Sequence, residues 1–375
     1  MQTTTPWDTL AGQYQLHPGA TPAIVGQRPV LGAGRLGQLL RGQRGAQVSA
    51  SLGSLFTLCA HAHRRMAQMA LAAAQVAEPI TAPAPVLLAL ETARDHLRSI
   101  ALDWPQGLPD AAPGAPSLDW LRGCPLRLVA PRELSDADAA WQTLDDLRRW
   151  LERDILRQDP KQWLIDQREP DALAYWCEAH AERLPPARCL ATWQPLAHSL
   201  RPTLRSLDLL DADPAVQRAH LLQLAQTIAD VPDYAQHPTW LGQCAETGPW
   251  ARLRHRHAPA QAHSAWTRLS ARWLELIELA DATPDLATPL LASGALHLGR
   301  GQALAWCEMA RGLLLHWVQL DACGAVQDYR VLAPTEWNFH PDGALGRAVA
   351  ALAPLDSAAA RALAAAYDPC VVCTV

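Results

Sequence analysis

The sequence lacks three features that would place a protein in a specialised class. No apolar run approaches the roughly 20 residues of a membrane-spanning helix, so we expect no membrane segment. The 32 Lys and Arg are scattered among 37 Asp and Glu, for a net charge of -5, which excludes the basic surface typical of nucleic-acid-binding proteins. The opening "MQTTTPWDTLAGQYQ" has neither the basic segment nor the apolar core of a signal peptide, which predicts a cytoplasmic protein.

A disulfide framework is also not expected. Nine cysteines, an odd number, are spread unevenly over 375 residues, a pattern that favours reduced thiols in an intracellular chain. Phenylalanine occurs only twice, whereas Ala and Leu are abundant and Trp occurs 15 times. This composition predicts a mainly α-helical protein in which indole rings fill much of the core.

The pattern of apolar residues predicts one domain, 1–375, with three regions. In 1–50, "GQYQLHPGATPAIVGQRPVL" has two mildly apolar segments around a His-Pro-Gly turn signal and predicts a β-ribbon. Region 51–300 is a helical core, with a long helix expected over 54–76 because no breaker interrupts that stretch. In 301–375, "RGLLLHWVQLDACGAVQDYRVLAPTEWN" alternates like a β-hairpin with its turn at 321–324, and a last helix over 357–366 leads to the terminal cysteines.

The segment "YDPCVVCTV" places Cys370 and Cys373 three residues apart, directly after Asp-Pro. Two thiolates at this spacing can converge on one soft metal, and Pro369 stiffens the approach. The pair could equally be a redox dithiol or an accident of composition. A structural zinc site would need four ligands, and three thiols and one His present themselves, so the spacing alone leaves these alternatives open.

Cys59 and His63 lie four residues apart on one predicted helix, so their side chains share a face. A thiol and an imidazole on one face could ligate a metal together, or the imidazole could orient groups around a thiolate-bound metal. A helical cysteine is more often a small buried hydrophobe, and that interpretation also stays open.

Several separated motifs give the chain a family resemblance. "LLRGQRGAQVSASLGSLFTLCAHAH" precedes, in chain order, "CEMARGLLLHWVQL", "APTEWNFHP" and "DPCVVC". This series resembles the large subunit of nickel–iron hydrogenases over roughly 38–67 and 293–375, while the middle is matched only by its helical character. The resemblance implies a trimmed form of the large-subunit fold, with a small N-terminal β-ribbon and a C-terminal β-hairpin.

The resemblance also implies metal ligands. In that family two pairs of cysteines hold a nickel and an iron that carries cyanide and carbon monoxide. Cys59 and Cys373 match the two positions that bridge both metals, and Cys370 matches one of the two nickel-only positions. Phe56 stands where the other nickel-only cysteine belongs, and a phenyl ring cannot replace a thiolate. The resemblance therefore implies an iron site that is kept and a nickel site that is incomplete.

Residues around the iron are matched as well. Arg311 corresponds to an arginine that approaches a cyanide, and a permanently charged guanidinium suits an anionic diatomic ligand. Pro334 and Thr335 belong to the matching Pro-Thr-x-Trp-Asn motif, in which the hydroxyl donates to the other cyanide. His63 matches a histidine near the bridging thiolates. The family's proline before the arginine is Ala310 here, a small loss of rigidity.

A kept iron site beside a broken nickel site is similar to the HupK/HoxV-type hydrogenase maturation proteins. The resemblance implies a scaffold, not an enzyme, that carries the Fe(CN)2(CO) fragment during its assembly and transfer. Implied partners are a HypC-type chaperone, a HypD-type assembly protein and the hydrogenase large-subunit precursor. The end of the chain at Val375 is then expected, since no peptide is left for removal. A divergent hydrogenase-like or dithiol redox enzyme and a metal-free structural relative remain as alternatives.

The other polar residues of interest have structural interpretations. Glu91, Asp95 and His96 share a predicted helix and are expected on a solvated face. Glu308 precedes Arg311 by one predicted helical turn and could hold it. The remaining six cysteines have no partner at ligand spacing and are expected to be buried or incidental: Cys124, Cys177, Cys189, Cys244, Cys307 and Cys323.

Overall fold

The structure is a computed structural model that describes most of the chain. The described residues are 12–32, 34–75, 84–108, 116–128, 135–169, 171–203, 205–210, 213–254, 263–284 and 291–375. Helices dominate these ranges, and two small β-sheets contain the described strands. The prediction of a mainly α fold with an N-terminal β-ribbon is confirmed.

The helices follow one another along the chain with short connections in most places. They are α1 (Arg35–Leu40), α2 (Ala46–Leu55), α3 (Ala60–Gln75), α4 (Pro85–Arg98), α5 (Trp104–Gly107), α6 (Ala137–Trp150), α7 (Pro160–Asp166), α8 (Ala172–His180), α9 (Pro185–Ser199), α10 (Pro214–Asp230), α11 (Pro249–Leu253), α12 (Ala265–Ala280), α13 (Pro334–Asn338), α14 (Ala344–Ala350) and α15 (Ser357–Tyr367). Single 3-10 turns lie at Pro29–Leu31, Thr57–Cys59 and Asp119–Leu121, and π-helical segments extend α4 and α6 over Ser99–Asp103 and Leu151–Leu156.

Helix α12 is the centre of the helical core. It packs against α4, α6, α9 and α15, and only Thr267 and Glu278 among its residues are not buried. Ser264 fixes its start through a capping box, because its side chain accepts from the Thr267 N–H and Thr267 reciprocates. A helix buried on all sides that also contains Arg268, Arg272 and Glu275 must find partners for those charges inside the protein.

The N-terminal ribbon consists of β1 (Gln13–Leu16) and β2 (Ile24–Gln27), paired antiparallel. A third strand, β7 (Val372–Thr374), pairs parallel with β1, so that Cys373 lies opposite Tyr14. The sequence did not predict this strand, because three residues give no periodic signal. The pairing fixes the Cys-x-x-Cys segment to the beginning of the described chain.

The predicted C-terminal hairpin is part of a larger sheet. Strands β3 (Ser293–Gly299), β4 (Gln302–Met309), β5 (Gly312–Leu320) and β6 (Val326–Leu332) pair antiparallel in sequence order. The predicted turn at 321–324 is present between β5 and β6, where the Gly324 N–H donates to Asp321 O. The region boundary at 300 was drawn too late, since β3 begins at Ser293. Helix α3 lies across β3, β4 and β5.

The helix expected over 54–76 is interrupted near its start. Helix α2 ends at Leu55, Phe56 takes a non-helical conformation, and a 3-10 turn precedes α3. Val76 lies outside the described residues. The break contains no Gly or Pro. The Glu91 carboxylate, distant in sequence, accepts the His61 and Ala62 N–H groups at the new helix start, and this is why the local sequence pattern does not show the break.

Gly26 tests the rigidity of the ribbon. Its φ is +123°, and a Cβ there would lie 2.1 Å from Gln13 O on the paired strand. We expect Gly26→Ala to lower the free energy of unfolding by roughly 2–3 kcal/mol, measured by urea denaturation. The matched control is Gly42→Ala, where φ is +81° but no atom lies within 4 Å of the added Cβ. The control should lose only about 1 kcal/mol, and equal losses would contradict the close approach.

Candidate functional site

Cys59 closes the turn before α3 and is buried. Burial raises the pKa of its thiol, and the neighbouring Cys370 and Glu91 raise it further. Glu91 of α4 accepts the His61 N–H at 2.9 Å and the Ala62 N–H at 2.8 Å, and so caps the start of α3 directly after Cys59. The expectation that Glu91 lies on a solvated face is wrong. Burial and the adjacent Asp95 raise its pKa to about 7.

His63 is buried within a chain of ring contacts. The Phe56 ring stacks on it with centroids 3.9 Å apart, and its Nδ1 lies 3.0 Å from His316 Nε2. His316 Nδ1 lies 2.7 Å from the Tyr329 hydroxyl. Burial lowers the pKa of His63 well below its usual value and that of His316 to about 3, so both rings are neutral. Phe56 thus fills the space above His63 with an apolar ring.

Arg311 follows β4 and is almost completely buried. Its Nε donates to Asp368 O at 3.1 Å and lies 3.2 Å from Asp368 Oδ2. Its Nη1 lies 3.6 Å from Asp95 Oδ2, which is beyond hydrogen-bond distance, and among the described residues this nitrogen has no hydrogen-bond partner. Asp368 also accepts from Ser99 Oγ at 2.8 Å and pairs with Arg272 Nη1 at 3.0 Å. Burial opposes the Asp368 charge, but Arg272 and Arg311 lower its pKa below the usual value.

Asp95 and His96 are therefore core residues, and the expectation of a solvated face is wrong for them too. His96 Nε2 lies 2.7 Å from Glu275 Oε2, and its Nδ1 lies 3.2 Å from Arg272 Nη1. An imidazole that donates from Nε2 and accepts at Nδ1 is neutral, and burial lowers its pKa to about 4. Glu275 also receives two hydrogen bonds from Arg252, at 2.8 and 2.7 Å.

Glu308 does not hold Arg311 in the predicted way. It lies on strand β4, so the helical turn on which that prediction depended is absent. Its Oε2 accepts the Ala292 N–H at 2.9 Å, and its Oε1 lies 4.0 Å from Arg252 Nε. The carboxylates at Arg311 come instead from α4 and from the end of α15.

The structure brings Thr335 and Cys370 together. Pro334 occupies the first turn of α13, where its fixed φ suits a helix start. Thr335 Oγ1 then lies 3.1 Å from Cys370 Sγ. Asn338 of the same motif accepts the Thr247 N–H at 2.9 Å, which fixes the end of α13 against the preceding loop.

Arg28 is a site residue that sequence reasoning missed. It is buried after β2, and its Nη1 lies 3.3 Å from Glu336 Oε1 in α13. Its guanidinium carbon is 5.4 Å from the centroid of the Phe56 ring. Burial opposes its charge, but Cys370 and Glu336, and to a smaller degree Cys59, raise its pKa. A lone arginine in a short ribbon carries no pattern that could have identified it.

Cys373 lies on β7 and is half-buried, and burial raises the pKa of its thiol to about 12. Of the six other cysteines, Cys177, Cys189 and Cys307 are buried and Cys323 is exposed. Within the described ranges, which include every cysteine, no three His, Cys, Asp or Glu side chains are close enough together to hold a metal ion. Metal ligation by Cys59, Cys370 and Cys373 stays a prediction.

Comparison with known proteins identifies the family. HoxV of Cupriavidus necator, a hydrogenase expression/formation protein, is 39% identical over 395 residues, which cover 98% of this chain and 95% of HoxV. The chain belongs to the HupK/HoxV family. HupK of Bradyrhizobium diazoefficiens is 39% identical over 40% of this chain and 43% of its own length. HupV of Azotobacter chroococcum is 30% identical over 92% of this chain and 91% of its own.

The C-terminal part of this HupK/HoxV chain is also similar to hydrogenases. The family model for nickel-dependent hydrogenase matches 268–375, from α12 to β7. An NAD+-reducing [NiFe]-hydrogenase in the H2-reduced state gives a TM-score of 0.48 at 15% identity, over 92% of both chains. The resemblance recognised from the motifs is thus confirmed at the level of the family.

No helix in the described part of the chain is long and apolar enough to cross a membrane.

Asp368 is the test of the buried charge network. We expect Asp368→Asn to lower the free energy of unfolding by roughly 3–5 kcal/mol, because Arg272 and Arg311 would share a buried site without their common carboxylate. Urea denaturation followed by circular dichroism measures this change. The matched control, Asp119→Asn, removes a carboxylate from a pair with Arg122 in which both side chains are 87% exposed. It should change stability by about 0.5 kcal/mol or less, and a similarly small effect at Asp368 would refute the network.

His96 gives the protein a specific acid sensitivity. Its pKa is about 4 in the folded protein against 6.5 when unfolded. Between these two pH values His96 is therefore protonated in the unfolded chain but neutral in the folded protein. The contribution of His96 to stability is therefore fully present above pH 6.5 and is lost as the pH falls towards 4. We expect the stability difference between the native protein and His96→Gln to shrink over that range, measured by urea denaturation at several pH values. A difference that does not change with pH would contradict a neutral His96.

Proposed function

We propose that this protein acts in hydrogenase maturation as a carrier of the Fe(CN)2(CO) fragment, which it passes to the hydrogenase large subunit. The fragment is its cargo, and the protein is not itself a hydrogenase. The names of HoxV, HupK and HupV as hydrogenase expression/formation proteins support the maturation role. The carrier role is supported by the side chains at the candidate site.

One observation supports the carrier role above others. Arg311 is a buried cation beside the thiols of Cys59 and Cys370, and its Nη1 lacks a hydrogen-bond partner among the described residues. A buried guanidinium N–H without an acceptor is uncommon and favours a ligand that brings one. A cyanide bound to iron is such an acceptor. The Thr335 hydroxyl beside Cys370 offers a second donor.

The ligand roles follow from the family positions. We expect Cys59 and Cys373 to bind the iron and Cys370 to act nearby as an auxiliary thiol. Burial keeps the pKa of Cys59 and Cys373 high, so both are protonated without cargo and must release protons when iron binds. Arg311 acts in the opposite direction on Cys59 and favours its thiolate form.

Two alternatives fit less well. A dithiol redox enzyme requires a thiol of low pKa, usually at a helix N-terminus, whereas Cys373 lies on a strand with its pKa raised to about 12. A hydrogenase-like enzyme would need a fourth thiolate where Phe56 stacks on His63. We therefore place the protein among assembly factors, in the cytoplasm, with a HypC-type chaperone, a HypD-type assembly protein and the large-subunit precursor as its partners.

Infrared spectroscopy tests the carrier role. Protein purified anaerobically from cells that express the hydrogenase accessory genes should show cyanide and carbonyl bands, together with iron by metal analysis. Cys59→Ala and Cys373→Ala should each remove the bands, because each deletes a ligand. Cys370→Ala should keep them at reduced intensity if that thiol is auxiliary.

Cys177→Ala is the matched control, because Cys177 is also a buried cysteine but has no place at the site. Its bands should equal those of the native protein. Bands that persist in Cys59→Ala and Cys373→Ala would move the iron elsewhere. Native protein without bands or iron would favour a metal-free structural relative.

A further inference from the structure

Arg28 and Glu336 form a buried ion pair between distant parts of the chain. Arg28 follows β2 in the N-terminal ribbon, and Glu336 lies in α13 within the Pro-Thr-x-Trp-Asn motif. Their side chains are 5% and 2% exposed, and their one close contact measures 3.3 Å. The motif that contains Thr335 is thereby joined to the N-terminal ribbon.

The pair is incompletely satisfied. Among the described residues, Arg28 Nε and Glu336 Oε2 have no hydrogen-bond partner, although both atoms are buried. Another Arg–Glu pair in the core differs in this respect. Arg268 holds Glu246 through two hydrogen bonds, at 3.1 and 2.7 Å. Within the described part of the chain, Arg28 therefore retains a donor without an acceptor in the interior, where such groups are normally bonded.

Arg28 is also linked to the candidate site, because its partner Glu336 directly follows Thr335, whose Oγ1 lies 3.1 Å from Cys370 Sγ. Arg28 lies over the Phe56 ring, three residues before Cys59, and both Cys59 and Cys370 act on its charge. The same two thiols act on the charge of Arg311. The charges of two buried arginines from distant parts of the sequence thus respond to the same two thiols.

The two arginines differ in how far their charges are already compensated. Arg311 lies beside two carboxylates, Asp368 and Asp95, whereas among the described residues Arg28 pairs with one carboxylate, that of Glu336. A cargo with two thiolate ligands and two cyanides adds several negative charges to a buried space. Such charge is stable there only beside cations that are not already neutralised. Arg28 meets this requirement better than Arg311.

We propose that Arg28 is a second anion-recognition residue of the site, whose guanidinium contacts the thiolate-bound, cyanide-bearing cargo together with Arg311. This inference rests on the carrier function proposed above. Arg28 acts by binding and orienting the anionic cargo. Glu336 holds the guanidinium in place from the other side. The opposite possibility is that the pair only fastens the ribbon to α13.

Neutral replacement of the whole pair separates these possibilities. Arg28→Met with Glu336→Gln removes the cation without leaving a buried charge unpaired, so the fold is retained. We expect the iron content and cyanide band intensity of this double variant to fall roughly tenfold or more, the effect of losing a charge-assisted hydrogen bond. Glu336→Gln alone keeps the cation, and should keep the cargo with its cyanide bands shifted.

The matched control is Arg268→Met with Glu246→Gln, which neutralises a buried pair of the same residue types. It should load iron as the native protein does. Thermal unfolding of each cargo-free variant shows whether it is folded. If the Arg28 double variant is unfolded, Arg28→Lys takes its place, and its cyanide bands should shift because Lys lacks the planar fork of N–H donors.

The outcomes separate this inference from the carrier function. The role of Arg28 would be overturned if the native protein shows the bands and the Arg28 double variant has the same iron content and band intensity. It would also be overturned if the cyanide bands of Arg28→Lys do not shift. In both cases the carrier function would stand. Equal loss of iron in the Arg268 control would assign the effect to general weakening of the core and would also overturn it. Native protein without bands would overturn the carrier function and the role of Arg28 with it.

Discussion

The ion pairs of Asp368 are the constraint on which the site depends. This carboxylate ends α15 and holds Arg272 from the core helix α12 and Arg311 from the turn after β4. Three separate elements therefore meet at one buried charge, two residues before Cys370. Because an unpaired charge is far costlier in the interior than at the surface, each element is held in register with the others. Arg311 is thereby fixed beside the thiols.

Around this centre the protein contains an unusual amount of buried charge. Arg94 and Asp95, His96 and Glu275, and Arg268 and Glu246 are further pairs, all within the core. Hydrophobic replacements of such pairs are often as stable, so stability alone does not account for them. Among the buried cations, Arg28 and Arg311 interact electrostatically with both Cys59 and Cys370, as a site for anionic ligands requires.

The elements that have a local signal in the sequence could be predicted from it. Helix α12, the ribbon and the turn at 321–324 all have periodic or turn signals that tertiary contacts do not overrule. The buried positions of Glu91, Asp95 and His96 could not be read, because polar residues on one helix face usually indicate solvent. Their partners lie in α3, α12 and the turn after β4, far away in sequence. Arg28 was missed for the same reason, and only the family motifs pointed to Arg311 and Thr335.

The parallel pairing of β7 with β1 has a consequence for when the site can form. Gln13 pairs with Val372, and Gln15 with Thr374, so the ladder beside Cys373 joins segments that are very far apart in sequence. Contacts of such long sequence separation form late in folding, since the entropy of closing the loop is lost before they add stability. During synthesis the cysteine segment leaves the ribosome long after β1 has done so. The thiols thus come together only once the chain has been made as far as β7, and under the proposed function a shorter nascent chain would lack one of the two iron ligands.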